Sequence, residues 1–224
     1  MILSLSVLRA RGACDLDKRI ESFAAHHGHP PDDFSTFAEW AATTPDVQDL
    51  IDALKYVRGG LRIAVEVAYQ SAMRVIPEFE SVHPMDERPR AALLVVRRWL
   101  DGEDVSQDLA VADAGSDAAV RSACRVAAGA IDGARTIARE GVDYSTTGFL
   151  VGWQLGAEAR ATEACRARAA AYAAALVIGA VAIAASDEVK AIGLSRGATG
   201  AAADASKADV GVQRADLLRL TAGA

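Results

Sequence analysis

Three features of the sequence predict an all-α fold, a single domain of roughly eight to ten packed helices with no sheet. All six prolines stand at or before Pro89, which leaves 135 residues from Arg90 onward with none. Alanine, the strongest helix former, occurs 49 times. Apolar residues recur every three or four positions in one segment after another, and no segment alternates as a strand does. A chain of 224 residues can bury one sizeable core. Its composition divides it into an acidic N-terminal helical part (residues 1–60), a core of helical hairpins (61–185) and a C-terminal helical tail (186–224).

In chain order, residues 1–8 are apolar, but Arg9 and Arg11 follow that run, whereas a signal peptide carries its positive charge before it. Cys14, Cys124 and Cys165 are widely spaced with no CxxC pair, which offers neither a disulfide framework nor a zinc ribbon and fits a reducing cytoplasm. A first helix is expected over residues 15–27, with Leu16, Ile20, Phe23 and Ala24 on one face. It stops at Gly28 and Pro30-Pro31. The histidines in that stop, His26, His27 and His29, read as solvated residues favoured by a helix C-terminus rather than as metal ligands. A second helix over residues 33–43 would turn Phe34, Phe37, Ala38 and Ala41 inward, with Trp40 near the rim. A third runs from Val47 through Leu50, Ile51, Leu54 and Val57 to Gly59-Gly60, leaving Asp46, Asp49 and Asp52 outside its apolar stripe.

Residues 69–103 form the segment around which the rest is expected to pack, a helical hairpin. Ala72, Val75, Ile76 and Phe79 line its incoming arm, Pro84 follows that arm's end, and Pro89 opens the outgoing arm, where its missing N–H does no harm. Asp86 and Arg88 both stand at cap positions. Ala92, Leu93, Val96, Trp99 and Leu100 make one stripe, with Arg90, Arg97 and Arg98 outside it and Gly102 ending the helix.

A short helix over 106–114 and a long one over 117–140 should follow, the latter with the face Val120, Cys124, Ala127, Ala128, Ile131 and Ile137. Gly129 and Gly133, four apart, are expected at a close helix crossing, and Gly148, Gly152 and Gly156 repeat the spacing. Residues 169–186 carry no charge. Ten of these residues are alanine, so the drive to enter a membrane is small and a central buried helix is the better reading. Trp99, Ile131 and Leu176 are expected at the centre of the domain. Gly193, Gly197 and Gly200 interrupt the pattern, and a last helix over 209–220 should dock Val210, Leu217, Leu218 and Leu220. The strings SAMRV (71–75), SACRV (122–126) and EACRA (163–167) are alike; the spacing is too irregular for a solenoid, and the likeness fits either a duplicated hairpin or the chance matches that an Ala- and Arg-rich chain produces.

Charge points to a protein partner. The chain carries a net −6, against nonspecific nucleic-acid binding. Residues 15–54 hold nine acids against Lys18 and Arg19, a balance of −7, while residues 55–103 come to +1. Single-sign helical surfaces are common as ordinary solvated faces; the functional alternative makes Asp32, Asp33, Asp46, Asp49 and Asp52 the candidate docking residues for a basic protein. No GxSxG, HExxH or phosphate-cradling loop is present, and the carboxylates Asp101, Glu103 and Asp104 follow a helix end where solvated acids are ordinary. No catalytic residue, cofactor or metal ligand is assigned.

The string ERPRAALLVVRRWLDGE (87–103), preceded by IPEFE (76–80), resembles a helical family of immunity proteins from bacterial polymorphic-toxin systems. Arg88-Pro89-Arg90 followed by Trp99 and Gly102-Glu103 is its most specific part. The likeness extends from DLIDALKYV at 49–57 to VQRADLLRL near the C-terminal end and leaves the first 45 residues unmatched. It implies a cytoplasmic protein that neutralises a cognate toxin by occlusion and supplies no catalytic residues. The different-class alternative is a helical enzyme with its site in the core.

Overall fold

The computed structural model describes residues 2–10, 12, 16–44, 46–141, 148–206 and 210–222, with side-chain surroundings left out for 137–155, 210–212 and 222. The elements are β1 (Ile2–Ser4), α1 (Leu5–Ala10), α2 (Leu16–His27), β2 (Phe34–Thr36), α3 (Phe37–Thr43), α4 (Val47–Ala53) with a 3-10 turn at Leu54–Tyr56, α5 (Gly60–Val82), α6 (Arg88–Leu100), α7 (Ser106–Gly141), α8 (Gly148–Ile183), α9 (Glu188–Ser206) and α10 (Val210–Ala222). Ten helices among the described residues make the fold all-α, as the proline distribution and alanine content require.

A small sheet corrects the expectation of none. β1 and β2 pair antiparallel with Ile2 opposite Thr36, Leu3 opposite Ser35 and Ser4 opposite Phe34. The cause is a capping box. The Thr36 hydroxyl accepts from Glu39 N at 3.2 Å while the Thr36 N–H donates to the Glu39 carboxylate at 2.6 Å, so the helix starts at Phe37 rather than Asp33. Residues 34–36 are left extended. Their side chains alternate, and Phe34, expected inward, is 68 % exposed, whereas Trp40, expected at the rim, is 4 % exposed beside Phe37 and Ala41.

Two apolar clusters share α5 as a common wall. Val65, Ala68, Ala72, Val75, Ile76 and Phe79 face the larger one, built with α6, α7, α8 and α9. Ile63, Ala64 and Val67 face the smaller one, which gathers Leu3, Leu8, Phe23, Phe37, Trp40, Leu50, Ile51 and Leu54 and is closed by Ile192 and Leu217. The tight entry into α5 requires glycine, because a Cβ at Gly60 would overlap the carbonyl oxygen of Leu54. The expected hairpin is α5 and α6, and the Asp86 carboxylate accepts from Arg88 N at 3.3 Å at the start of its second arm. Ala92, Leu93, Val96 and Leu100 of its stripe are buried.

The apolar stretch lies in α8, where Ala170, Ala171, Ala173, Ala174, Val177, Ile178, Ala180 and Val181 are all buried among neighbouring helices. Residues Gly156–Ile183 have a window of mean hydropathy 1.5, long and apolar enough to cross a membrane by length and composition, and half of that window is buried within the fold. Trp99, Ile131 and Leu176 are partly buried, not central, and the largest fully buried side chains include Phe37, Phe79, Ile76, Leu93 and Ile178. Trp99 and Leu176 pack against the larger cluster from its margin.

The second half departs from the reading in three further places. α7 runs unbroken through Gly115, and its buried face is Ser116, Ala119, Ala123 and Ala127, whereas Cys124 and Ala128 are exposed. Gly129 and Gly133 are exposed, and among the described residues nothing lies within 4 Å of a Cβ at either and neither marks a crossing. The close approach occurs instead in α9, which continues through Gly193, Gly197 and Gly200. A Cβ at Gly197 would lie 3.2 Å from Leu176 Cδ1, and one at Gly200 would lie 3.2 Å from Gln48 Nε2. Leu217 is buried as expected, with Leu218 and Leu220 packed beside it. Cys14 and Asp15, and the surroundings of Ile137, Gly148, Gly152 and Val210, lie outside the described residues.

Two opposite glycine effects follow and can be read from urea denaturation midpoints. Gly129→Ala and Gly133→Ala should each stabilise the protein by about 0.5–1 kcal/mol, since exposed helix interiors favour alanine by that amount. Gly60→Ala should abolish or severely weaken folding, because the obstruction is backbone that cannot move aside.

Candidate functional site

The five candidate aspartates occupy one part of the molecule but hold different posts. Asp32 is exposed, and no side-chain hydrogen bond or ion pair engages it among the described residues. Its neighbour Asp33 ties β2 to α1, accepting from Leu5 N at 2.8 Å through its carbonyl and from Ser6 N at 3.2 Å through its carboxylate. Asp46 caps α4, accepting from Gln48 N at 2.8 Å. Asp49, one turn on, lies 3.7 Å from Arg19 of α2. Asp52, near the end of the same helix, is paired at 2.7 Å with Arg196 of α9. The expectation that Asp46, Asp49 and Asp52 leave the apolar face of their helix holds. Asp46 is engaged as a cap, and Asp49 and Asp52 face arginines of neighbouring helices.

The C-terminal segment supplies anchors that no local pattern announces. Arg214 of α10 donates to the carbonyls of Thr44, at 2.6 Å, and Ala41, satisfying acceptors left at the end of α3. Arg74 pairs with Asp216 at 2.6 Å, joining α5 to α10. Gln213 is fully buried, and its amide N–H donates to Thr199 O at 3.2 Å while its Oε1 has no partner among the described residues. These residues lie more than a hundred positions from most of their partners, or across a helix boundary, so periodicity could not have found them.

The arginines of the hairpin are spent within the chain. Arg88 forks onto Asp86 at 2.7 and 2.6 Å, and Arg90 onto Glu80 at 2.6 and 2.9 Å. Arg97 pairs with Asp101 and reaches Glu66 at 3.4 Å, while Arg98 spans Glu103 at 2.7 Å and Asp108 at 2.6 Å. The cluster Asp101, Glu103 and Asp104 is thereby accounted for, since Asp104 accepts from Ser106 N at 3.0 Å at the start of α7. These partners hold the carboxyls of Glu80, Asp86 and Asp101 below their ordinary range, through Arg90, Arg88 and Arg97 respectively, and the Ser106 hydroxyl and N–H do the same for Asp104. Asp113 is pushed the other way, by burial and by Asp117 one turn along.

An open groove of about 660 Å³ lies at the hairpin turn, lined by His83, Met85, Asp86, Arg88 and Ser122 among others. It contains the side-chain types of a hydrolytic relay without the connections. Both oxygens of Asp86 are committed to Arg88, and His83 stacks on Phe79 at 4.7 Å with its Nε2 buried and unpartnered. A second groove, of about 320 Å³, is lined by Cys124, Arg168, Tyr172 and Asp204. At the N-terminal histidines, His27 packs on Phe23 at 4.2 Å and His29 bonds to Pro30 O at 2.8 Å. Among the described residues no group of three His, Cys, Asp or Glu side chains is placed to hold a metal ion.

Compared with known protein families, curated proteins and solved structures, the chain matches none of them.

The two roles within the acidic set separate by mutation. Asp52→Asn, which breaks the 2.7 Å pair to Arg196, should lower stability by about 0.5–1 kcal/mol, and Asp49→Asn, at the longer 3.7 Å contact to Arg19, by less than about 0.5 kcal/mol. The carboxyls with lowered pKa bind protons more weakly folded than unfolded. Their contribution is therefore complete above the ordinary carboxylate range, near pH 4, and is lost as pH falls below it. Asp113 has the opposite sign, so Asp113→Asn should raise the urea midpoint at pH 7 and leave it unchanged at about pH 2, where the carboxyl is protonated in both states.

Proposed function

We propose that the chain is a cytoplasmic immunity protein that binds a cognate basic toxin domain and blocks it by occlusion. The observation that carries this reading is the resemblance of residues 76–103 to the immunity family, centred on Arg88-Pro89-Arg90, Trp99 and Gly102-Glu103. Charge placement supports it. The hairpin arginines are neutralised by the chain's own acids, whereas Asp17, Glu21 and Asp32 of the N-terminal part are exposed and engage no described residue. An excess of one sign over a surface speeds encounter with a partner of the other sign, and buried anchors then set how long the complex lasts. A helical enzyme remains the reading of a different class, and the groove containing His83 and Ser122 is where its chemistry would be sought.

Co-expression with toxin domains encoded beside the gene tests the proposal. Survival of cells that carry one such domain together with this chain, and death of those that carry the domain alone, is the expected result. Protection against none of them, or a gene neighbourhood of metabolic enzymes, would sink it.

A further inference from the structure

We infer that the outer face of the two-stranded sheet, centred on Ile2 and Phe34, is the docking centre for a basic protein partner. The inference rests on the function proposed above and names its surface. In the β1–β2 ladder residues 2, 4, 34 and 36 share one face, and Leu3 and Ser35 the other. The inner face is closed, with Leu3 at 2 % and Ser35 at 4 % exposure. The outer one leaves Ile2 at 62 % and Phe34 at 68 %. In this register Ile2 and Phe34 are diagonal neighbours, which places them about 7–8 Å apart, close enough for their side chains to make one apolar patch. Val7 of α1, directly after β1, is exposed as well.

The charge around this patch selects the occupant. Asp32 and Asp33 immediately precede Phe34, Glu39 is one turn into α3, and all three belong to residues 15–54, whose sequence carries a balance of −7; Arg9 of α1 is the exposed cation of the adjoining helix. A second copy of the chain, pairing by a two-fold axis, would set these acids against themselves. Nucleic acid and an anionic bilayer meet the same repulsion. A protein surface with an apolar centre ringed by Lys and Arg fits both features, and an exposed phenylalanine of low side-chain entropy is the kind of anchor that carries binding energy. The rim carboxylates would steer, and the Ile2–Phe34 pair would hold.

The test uses the purified chain and the toxin domain against which it protects in the co-expression assay. Calorimetric titration should find Phe34→Ser weaker by about tenfold or more and Ile2→Ser weaker by a smaller factor. Val111→Ser, a control 76 % exposed on α7, should bind as the wild type does. Melting transitions of all three should stay within a few degrees of the wild type, since none of these side chains is buried. Asp32→Lys supplies a measurement independent of the sheet's stability, because its association rate should drop at low salt and recover toward the wild-type value at high salt. Wild-type affinity in Phe34→Ser, or an unchanged association rate in Asp32→Lys, overturns this surface and leaves the immunity reading standing. A wild-type chain that binds no neighbouring toxin domain overturns both.

Discussion

The structure depends on alanine-to-alanine packing around α8. Ala170, Ala171, Ala173, Ala174 and Ala180 are buried on successive sides of one helix, and the faces they meet are themselves built from small residues, Ala119 and Ala123 on α7 and Ala198, Ala201, Ala202 and Ala205 on α9. Short side chains let helix backbones approach closely, so stability comes from many small contacts rather than from a few large side chains. That explains a core with only 5 % aromatic residues in the sequence. It also explains why the glycines at close approach lie in α9, opposite Leu176 and Gln48, where even a methyl group would push a neighbour. Such a core is sensitive to enlargement, since added methylenes have no slack to occupy.

Around that centre the charged groups do local work. Arg90 with Glu80 staples the two arms of the hairpin, Arg97 with Glu66 repeats the link farther along, and Arg98 joins α6 to the start of α7 through Asp108. Exposed pairs of this kind contribute little each, but they decide which charges are left to face a partner. Cations of the hairpin are matched within a few ångströms, whereas residues 15–54 hold nine acids and only two basic residues. Arg196 and Arg214, reaching in from α9 and α10, relieve part of that imbalance by pairing with Asp52 and capping α3. The remaining excess is a property of the fold as well as of the composition.

What could be read beforehand followed from how unambiguous each local pattern was. α6 was legible because Ala92, Leu93, Val96 and Leu100 alternate with arginines that cannot be buried. α7 was misread by one position in its face because alanine lies on every side of it, so periodicity had no contrast to report. The Thr36-x-x-Glu39 capping box is present in the sequence, but the apolar run beginning at Phe34 draws the expected helix start to residue 33, four residues too early, and hides the strand. Charge alone singles out Asp32, Asp33, Asp46, Asp49 and Asp52, and it does not distinguish a carboxylate that caps a helix from one that pairs with Arg196 or faces water. Arg214 on Thr44 lies 170 residues away in sequence and gave no local sign of its role.

The same constraints determine how well Phe34 could serve as an anchor. A two-stranded sheet is marginal by itself in water, so this one exists only through its surroundings. Leu3 pins β1 into the smaller core from below, Asp33 fastens the strand before Phe34 to the first turn of α1, and the Thr36–Glu39 box fixes the backbone just after it. Arg214 then holds the far end of α3 through Ala41 and Thr44. Phe34 thus stands between restraints on both sides along the chain, and a side chain presented on ordered backbone loses less entropy on binding than one on a loose loop. The C-terminal helix, although distant in sequence, contributes to that pre-organisation. An affinity built on Ile2 and Phe34 should accordingly depend on α10 as a support, without α10 touching the partner.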